Sequence, residues 1–186
     1  MNHETSAALG VIEVHSIGKG VLACDAMLKK AHVRLLMARV ICPGKYLAAI
    51  GGNVAEVRDG VDEGLAVGGD TVVDSLVLPS VHYDILPALT QTTVIDRVAA
   101  LGLVETFTMC STLEAADAAA KQAEVSLLEI RLSIMLAGKS YVCLTGLESA
   151  VQEALDAGAA LARRKGALVS AIMIPRPDAD LLKFIV

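Results

Sequence analysis

An α+β chain of two tandem domains, each running β-α-β-β-α-β, is predicted by three features of the sequence. The first is an internal repeat: most of Gly10 through Gly52 is written again from Gly102 through Gly146, with Gly10-Val11-Ile12-Glu13 answered by Gly102-Leu103-Val104-Glu105. The second is its register. Ala8 falls on Ala100, Asp25-Ala26 on Asp117-Ala118, Lys29 on Lys121, Ala31 on Ala123 and Val33 on Val125. Between Arg39 and Pro43 the second copy gains two residues, after which Gly44-Lys45 falls on Gly138-Lys139, Gly52 on Gly146, Val57 on Val151 and Gly64 on Gly158. The third is length: 186 residues divide into two units of roughly 90 each, taken as 1–94 and 95–186.

Each element follows from local chemistry. Residues 1–7 read as a disordered tip. Ala8 to His15 is expected as a strand, with Leu9, Val11 and Val14 apolar, Gly10 allowing close backbone approach and Glu13 interrupting. Gly18 to Lys30 reads as a helix, with Val21, Leu22, Ala26 and Leu28 available for one face and Lys29-Lys30 suited to its carboxyl end. Val33–Ile41 and Lys45–Ile50 are β-rich runs on either side of Cys42-Pro43-Gly44, the pattern of a hairpin with a sharp tip. Asn53 suits an N-cap for a helix from Val54 to about Leu65, striped by Val54, Val57, Val61 and Leu65 and ended by Gly68-Gly69. Thr71–Leu78 is a further strand; Pro79 opens a polar corner and a short segment with Ile85, Leu86 and Leu89, and Gln91–Val98 links the copies. The second copy repeats the order as strand 100–107, helix 111–122, hairpin 125–145, helix 147–163 and strand 167–174, then Pro175-Arg176-Pro177 and a tail with Leu181, Leu182, Phe184 and Ile185. Even the corners correspond, Leu78-Pro79 and Asp84-Ile85-Leu86 matching Ile174-Pro175 and Asp180-Leu181-Leu182. Such an order gives an antiparallel sheet with both helices on one face, the ferredoxin-like arrangement.

Bulk properties narrow the function. The chain is 54% hydrophobic with mean hydropathy +0.58, yet no apolar run reaches the roughly 18–20 residues that span a bilayer. Small domains with surplus apolar surface point to subunit contacts. Net charge −5 and pI near 5.3 argue against broad nucleic-acid binding. Met1-Asn2-His3-Glu4 lacks the basic and apolar regions of a secretory signal, so the protein is expected in the cytosol. The four cysteines form no CxxC pair, which disfavours a zinc ribbon or a thioredoxin-type motif. They are expected as free thiols, or as ligands supplied one per chain.

The motifs Gly10 to Glu13, Asp25-Ala26-Met27-Leu28-Lys29-Lys30-Ala31, Gly44-Lys45 and Gly52, their second-copy partners, and Ile174-Pro175-Arg176-Pro177 closely resemble the shell proteins of bacterial microcompartments. The resemblance covers residues 8–186. Two such domains in one chain look like the tandem subclass, and that resemblance implies trimers imitating the hexamers of single-domain relatives and tiling with other shell proteins around enclosed enzymes. Ile41-Cys42-Pro43-Gly44-Lys45 is most similar to the loop of the tandem shell protein of propanediol-utilisation compartments. There the loop cysteine binds an iron-sulfur cluster at the central pore.

The resemblance implies a 4Fe-4S cluster, one per trimer, held by three copies of Cys42 with a non-protein ligand on the fourth iron. A single chain without clustered cysteines cannot supply the usual thiolate set, and threefold symmetry would remedy that. Pro43 restricts Cys42 to extended geometry and Gly44 permits a close turn. That suits a metal and equally suits a plain turn: from spacing alone, a lone cysteine before Pro-Gly is an ordinary turn residue. The pore loops are expected at Ile41, Cys42, Pro43 and Gly44 and at Met135, Leu136, Ala137 and Gly138, the second tip having no cysteine. Arg39 and Lys45 flank the tip, either to lower the Cys42 pKa and offset an anionic cluster, or as solvated hairpin ends. Cys24, Cys110 and Cys143 read as small buried hydrophobes.

By the same resemblance, Lys29 and Lys121 match the family's tile-edge lysine and Arg176 its edge arginine, while the first copy has Ser80-Val81 in place of Arg176-Pro177. Glu13 and Glu105 recur in apolar strands, where an unpaired carboxylate is costly, so each is expected to accept hydrogen bonds or pair with a lysine. His15, His32 and His82 are scattered, and the sequence lacks a Ser-His-Asp set, a Walker loop or a G-x-G-x-x-G after a strand, so the chain is not expected to be an enzyme. Three readings follow: a shell trimer whose cluster passes electrons to an encapsulated or cytosolic redox enzyme; a shell trimer with a metabolite pore and no cluster; or a soluble regulator or thiol enzyme on a ferredoxin-like fold.

Overall fold

A computed structural model describes residues 8–94, 97–133 and 137–183. The expected tip 1–7, the pore-loop residues Met135 and Leu136, and the tail residues Phe184 and Ile185 lie outside the described residues. The chain forms two compact units: Met1–Val81 with Ser133–Gly138, and His82–Leu132 with Lys139–Val186. The residues from His82 to Val94 therefore belong with the second unit, and the tip of the second hairpin belongs with the first.

In the first unit the order is β1 (Ala8–Val14), α1 (Ile17–Lys30), β2 (Arg34–Ile41), β3 (Lys45–Gly52), α2 (Val54–Gly68) and β4 (Val72–Leu78). The strands form one antiparallel sheet in the order β2-β3-β1-β4. A sheet whose first and third strands are central, with two crossing helices, is the expected ferredoxin-like topology. Both helices lie against the same face, where Ile12, Val14, Ala23, Met27, Ile50, Val57 and Val61 form a buried core. Gly10 makes that packing possible, since a Cβ there would stand 2.6 Å from Val61 and 2.7 Å from Val57. The other face is also covered at the centre, where Leu9, Val11 and Glu13 are buried.

In the second unit α3 (Ile85–Thr90) precedes β5 (Ala100–Thr106), α4 (Met109–Gln122), β6 (Val125–Arg131), β7 (Ser140–Gly146), α5 (Glu148–Arg164), β8 (Leu168–Pro175) and α6 (Ala179–Leu182). Its sheet runs β6-β7-β5-β8, again antiparallel. Even the irregularities repeat, with a register shift between Leu35 and Met37 in one edge strand and between Leu127 and Glu129 in the other.

Element ends depart from expectation where side chains cap them. Ser16 accepts a hydrogen bond from the Lys19 N–H, and Thr108 from that of Ser111, so α1 and α4 begin at Ile17 and Met109 rather than at 18 and 111. Asn53 caps α2 as expected, accepting from the Glu56 N–H at 2.9 Å. A 3-10 turn over Gly69–Thr71 delays β4 to Val72.

Candidate functional site

The hairpin tip of the first unit is built on a register that runs unbroken from Met37 to its end, Ile41 pairing with Lys45. Ile41 is buried and anchors the turn, while Pro43 and Gly44 are exposed. The Cys42–Pro43 peptide is cis, and Gly44 adopts φ +67, the left-handed region that glycine occupies without steric cost. Cys42 is the one half-exposed thiol; Cys24, Cys110 and Cys143 are buried. Its backbone N–H donates to the Ser133 carbonyl at 2.6 Å. Ser133 in turn donates through Oγ to the Gly138 carbonyl at 3.0 Å, and a Cβ on Gly138 would stand 3.0 Å from Pro43 Cδ. Cys42, Pro43, Ser133 and Gly138 are thus brought together within the first unit, with Ala137 exposed.

Lys45 makes an ion pair below the tip. Its Nζ turns inward to Glu13, 2.6 Å away, with the carboxylate fully buried and the lysine 13% exposed. The counterpart pair, Lys139 and Glu105 at 2.7 Å, is looser and wetter, with side-chain exposures of 39% and 27%, and Ser170 adds a 3.1 Å hydrogen bond to Glu105. Both carboxylates therefore have the lysine partners their apolar strands require. Arg39 is exposed.

The other cysteines fit their expected role as packing residues. Burial pushes the Cys143 thiol up to about 12, with Glu129 adding to the effect. Burial and then Asp25 raise that of Cys24. Raised pKa values keep both thiols protonated at neutral pH, so they are poor nucleophiles and ligands. Among the described residues no group of three or more His, Cys, Asp or Glu side chains stands ready for a metal ion, so one chain offers a cluster the single thiol of Cys42.

Lys29 and Lys121 each pair at 2.6 Å with the aspartate one helical turn earlier, Asp25 and Asp117. Arg176 is exposed at φ +49 beside an open cleft of about 360 Å³ that Arg97, Leu147 and Glu148 also line. Sequence reasoning missed the environment of Asp117. Its carboxylate is nearly buried and accepts from the His82 N–H at 2.8 Å, while Asp84 accepts from the Leu127 N–H at 3.4 Å and Gln91 donates to Glu129 at 2.6 Å. The available signal was the recurrence of Asp84-Ile85-Leu86 as Asp180-Leu181-Leu182, which marks this segment as part of the repeat and not as a plain linker.

The BMC domain family matches the chain twice, at residues 8–81 and 100–177. The chain is 40% identical over 176 residues to the bacterial microcompartment shell protein PduT of Citrobacter freundii, covering 95% of this chain and 96% of that one. It is 32% identical over 189 residues to the carboxysome assembly protein CcmO of Synechococcus elongatus, covering 95% and 68%. A microcompartments protein from Desulfitobacterium hafniense DCB superposes with TM-score 0.88 at 42% identity, covering 95% of this chain and 98% of that one.

Proposed function

The chain belongs to the bacterial microcompartment shell proteins, with two BMC domains in tandem, and from that premise we propose that three copies close into a pseudohexameric tile whose Cys42 thiols hold a 4Fe-4S cluster. It is a structural subunit of the shell. The observation that carries the cluster reading is the contrast among the cysteines: Cys42 alone is not buried, and it sits on a short tip tied to Ser133.

Three thiolates, one from each Cys42, would hold three irons, leaving the fourth to a non-protein ligand. When bound, such a cluster supplies one-electron transfer, here between the two faces of the shell wall. The chain's own residues fix the thiol. Ile41 anchors the strand end in the core, Gly44 supplies the left-handed turn residue, and the hydrogen bond to Ser133 restrains the Cys42 backbone. Because Lys45 is committed to Glu13, the exposed Arg39 is the flanking cation left to balance an anionic cluster. The role proposed is one of assembly and electron passage, in keeping with the shell proteins this chain resembles. Its partners are other shell proteins at the tile edges, reached by Lys29, Lys121 and Arg176, and a redox enzyme on one side of the wall.

Anaerobic purification with iron and sulfide assay and electron paramagnetic resonance tests the proposal. A brown protein with a cluster signal that Cys42→Ser abolishes is expected. Colourless trimers after cluster reconstitution would sink it, and would make the Cys42 ring a constriction for small metabolites instead. A dispersed monomer with small-molecule turnover would remove the shell assembly as well.

A further inference from the structure

The glycines of the two hairpin tips sit in different surroundings. Gly44 of the first tip stands clear, with nothing within 4 Å of the place a Cβ would occupy. Its counterpart Gly138 is buried, and a Cβ there would stand 3.0 Å from Pro43 Cδ. The ladder of the first hairpin ends at the pair Ile41–Lys45, and beyond it the Cys42 N–H donates out of the hairpin, to the Ser133 carbonyl at 2.6 Å. Ser133 is fully buried, and its Oγ–H donates to the Gly138 carbonyl at 3.0 Å. Both residues come from the second loop, the one that gained two residues over the first.

We infer that Ser133 is a positioning residue for the Cys42 thiol. Its carbonyl holds the Cys42 backbone, while its hydroxyl, closing on Gly138, fixes that carbonyl and seats Gly138 against Pro43. The need for such a brace lies in tolerance, since metal ligands must be held within about 0.5 Å of their working geometry. Cys42 follows β2, which lies at the edge of its sheet and carries Ala38, Arg39 and Val40 exposed. A strand paired on one side only leaves its tip poorly fixed, and the bond to Ser133 restrains it from beyond the last ladder pair. The brace residues are buried while the Cys42 side chain is half-exposed, so the backbone is enclosed and the thiol still presented. The inference rests on the cluster reading proposed above and adds the part played by the second copy, which brings no cysteine to the tip but holds the one that is there.

Thiol labelling and cluster spectroscopy of the full-length protein test it. Iodoacetamide is added to metal-free protein, and Cys42 modification is followed by peptide mass spectrometry in the native chain, Ser133→Ala and Gly138→Ala. Thr145→Val is the control, losing a buried hydroxyl elsewhere that donates to the Ala100 carbonyl at 2.7 Å. Cys42 is expected to react about fivefold faster in Ser133→Ala, the shift that one lost hydrogen bond permits. Gly138→Ala, which places a side chain at φ +88 and against Pro43, is expected to be accelerated as well, and Thr145→Val to react at the native rate. After reconstitution with iron and sulfide, Ser133→Ala should hold less iron and show shifted g values in electron paramagnetic resonance, which a loss of overall stability does not produce. A native labelling rate in Ser133→Ala, or a native spectrum in its cluster-loaded form, would overturn the positioning role. Equal acceleration in Thr145→Val would overturn it too, by marking a general loosening. Native protein that takes up no cluster while Ser133→Ala still labels faster would support the brace and remove the cluster reading.

Discussion

In the first copy β2 and β3 meet across Cys42-Pro43-Gly44; in the second, β6 and β7 are joined by a longer loop without cysteine that runs from Leu132 to Lys139. Below the tips the two copies use the same device, a glutamate on the central strand held by the lysine after the tip glycine, but with different burial. Glu13 and Lys45 are sealed in, while Glu105 and Lys139 remain partly wet. The repeat thus keeps what closes each sheet and varies what each tip presents. That division explains how one fold carries a structural role in both halves and a thiol in only one.

The largest effect expected from breaking this comparison is at the tips themselves. Cys42→Ser should remove all bound iron, whereas the second tip, having no thiol, should hold none in that variant; iron and sulfide assay reads both. Next come the ion pairs. Lys45→Ala takes the lysine from a fully buried carboxylate and should cost about 3–5 kcal/mol, while Lys139→Ala opens a partly solvated pair and should cost about 0–1 kcal/mol. Urea denaturation of the two variants measures the difference, and equal losses would show that burial does not set the strength of the pair.

A smaller contrast concerns the glycines under the second helix of each copy. Gly10→Ala and Gly102→Ala both force contacts, at 2.6 and 2.7 Å with Val61 and Val57 in the first case and at 2.8 and 2.9 Å with Leu144 and Val151 in the second. Overpacking of this kind costs about 1–3 kcal/mol, with the Gly10 variant the less stable by thermal melting. The last contrast is alkaline. Cys143 holds its proton up to about 12 when folded, against an ordinary value of 9.0. Above 9.0 the unfolded chain sheds that proton first, so stability falls with rising pH by about 1.4 kcal/mol per pH unit through this group. The first copy has Ala49 at the matching place, and Cys143→Ala should flatten the slope. Tyr46 and Tyr141, whose pKa values burial also raises, leave a residual slope of the same sign.

The fold was legible because the repeat supplied each element twice: a strand read weakly at Ala8 was read again at Ala100, and the order β-α-β-β-α-β follows from either copy. The Glu13 and Glu105 pairings were legible from the cost of an isolated carboxylate in an apolar strand. Helix starts were less so, since Ser16 and Thr108 act through single side-chain hydrogen bonds that periodicity does not register. The inward turn of Lys45 was hidden because its sequence neighbours are turn residues while its partner lies thirty-two positions earlier. The docking of His82 to Gln91 was hidden for the same reason, as its hydrogen-bond partners on α4 and β6 follow 35 to 43 positions later.

Native mass spectrometry of anaerobically purified protein tests the central claim most directly. The account predicts one assembly whose mass is three chains plus a single 4Fe-4S cluster, reduced to three bare chains by Cys42→Ser. A monomer, or a trimer that carries no added mass after reconstitution with iron and sulfide, would contradict it.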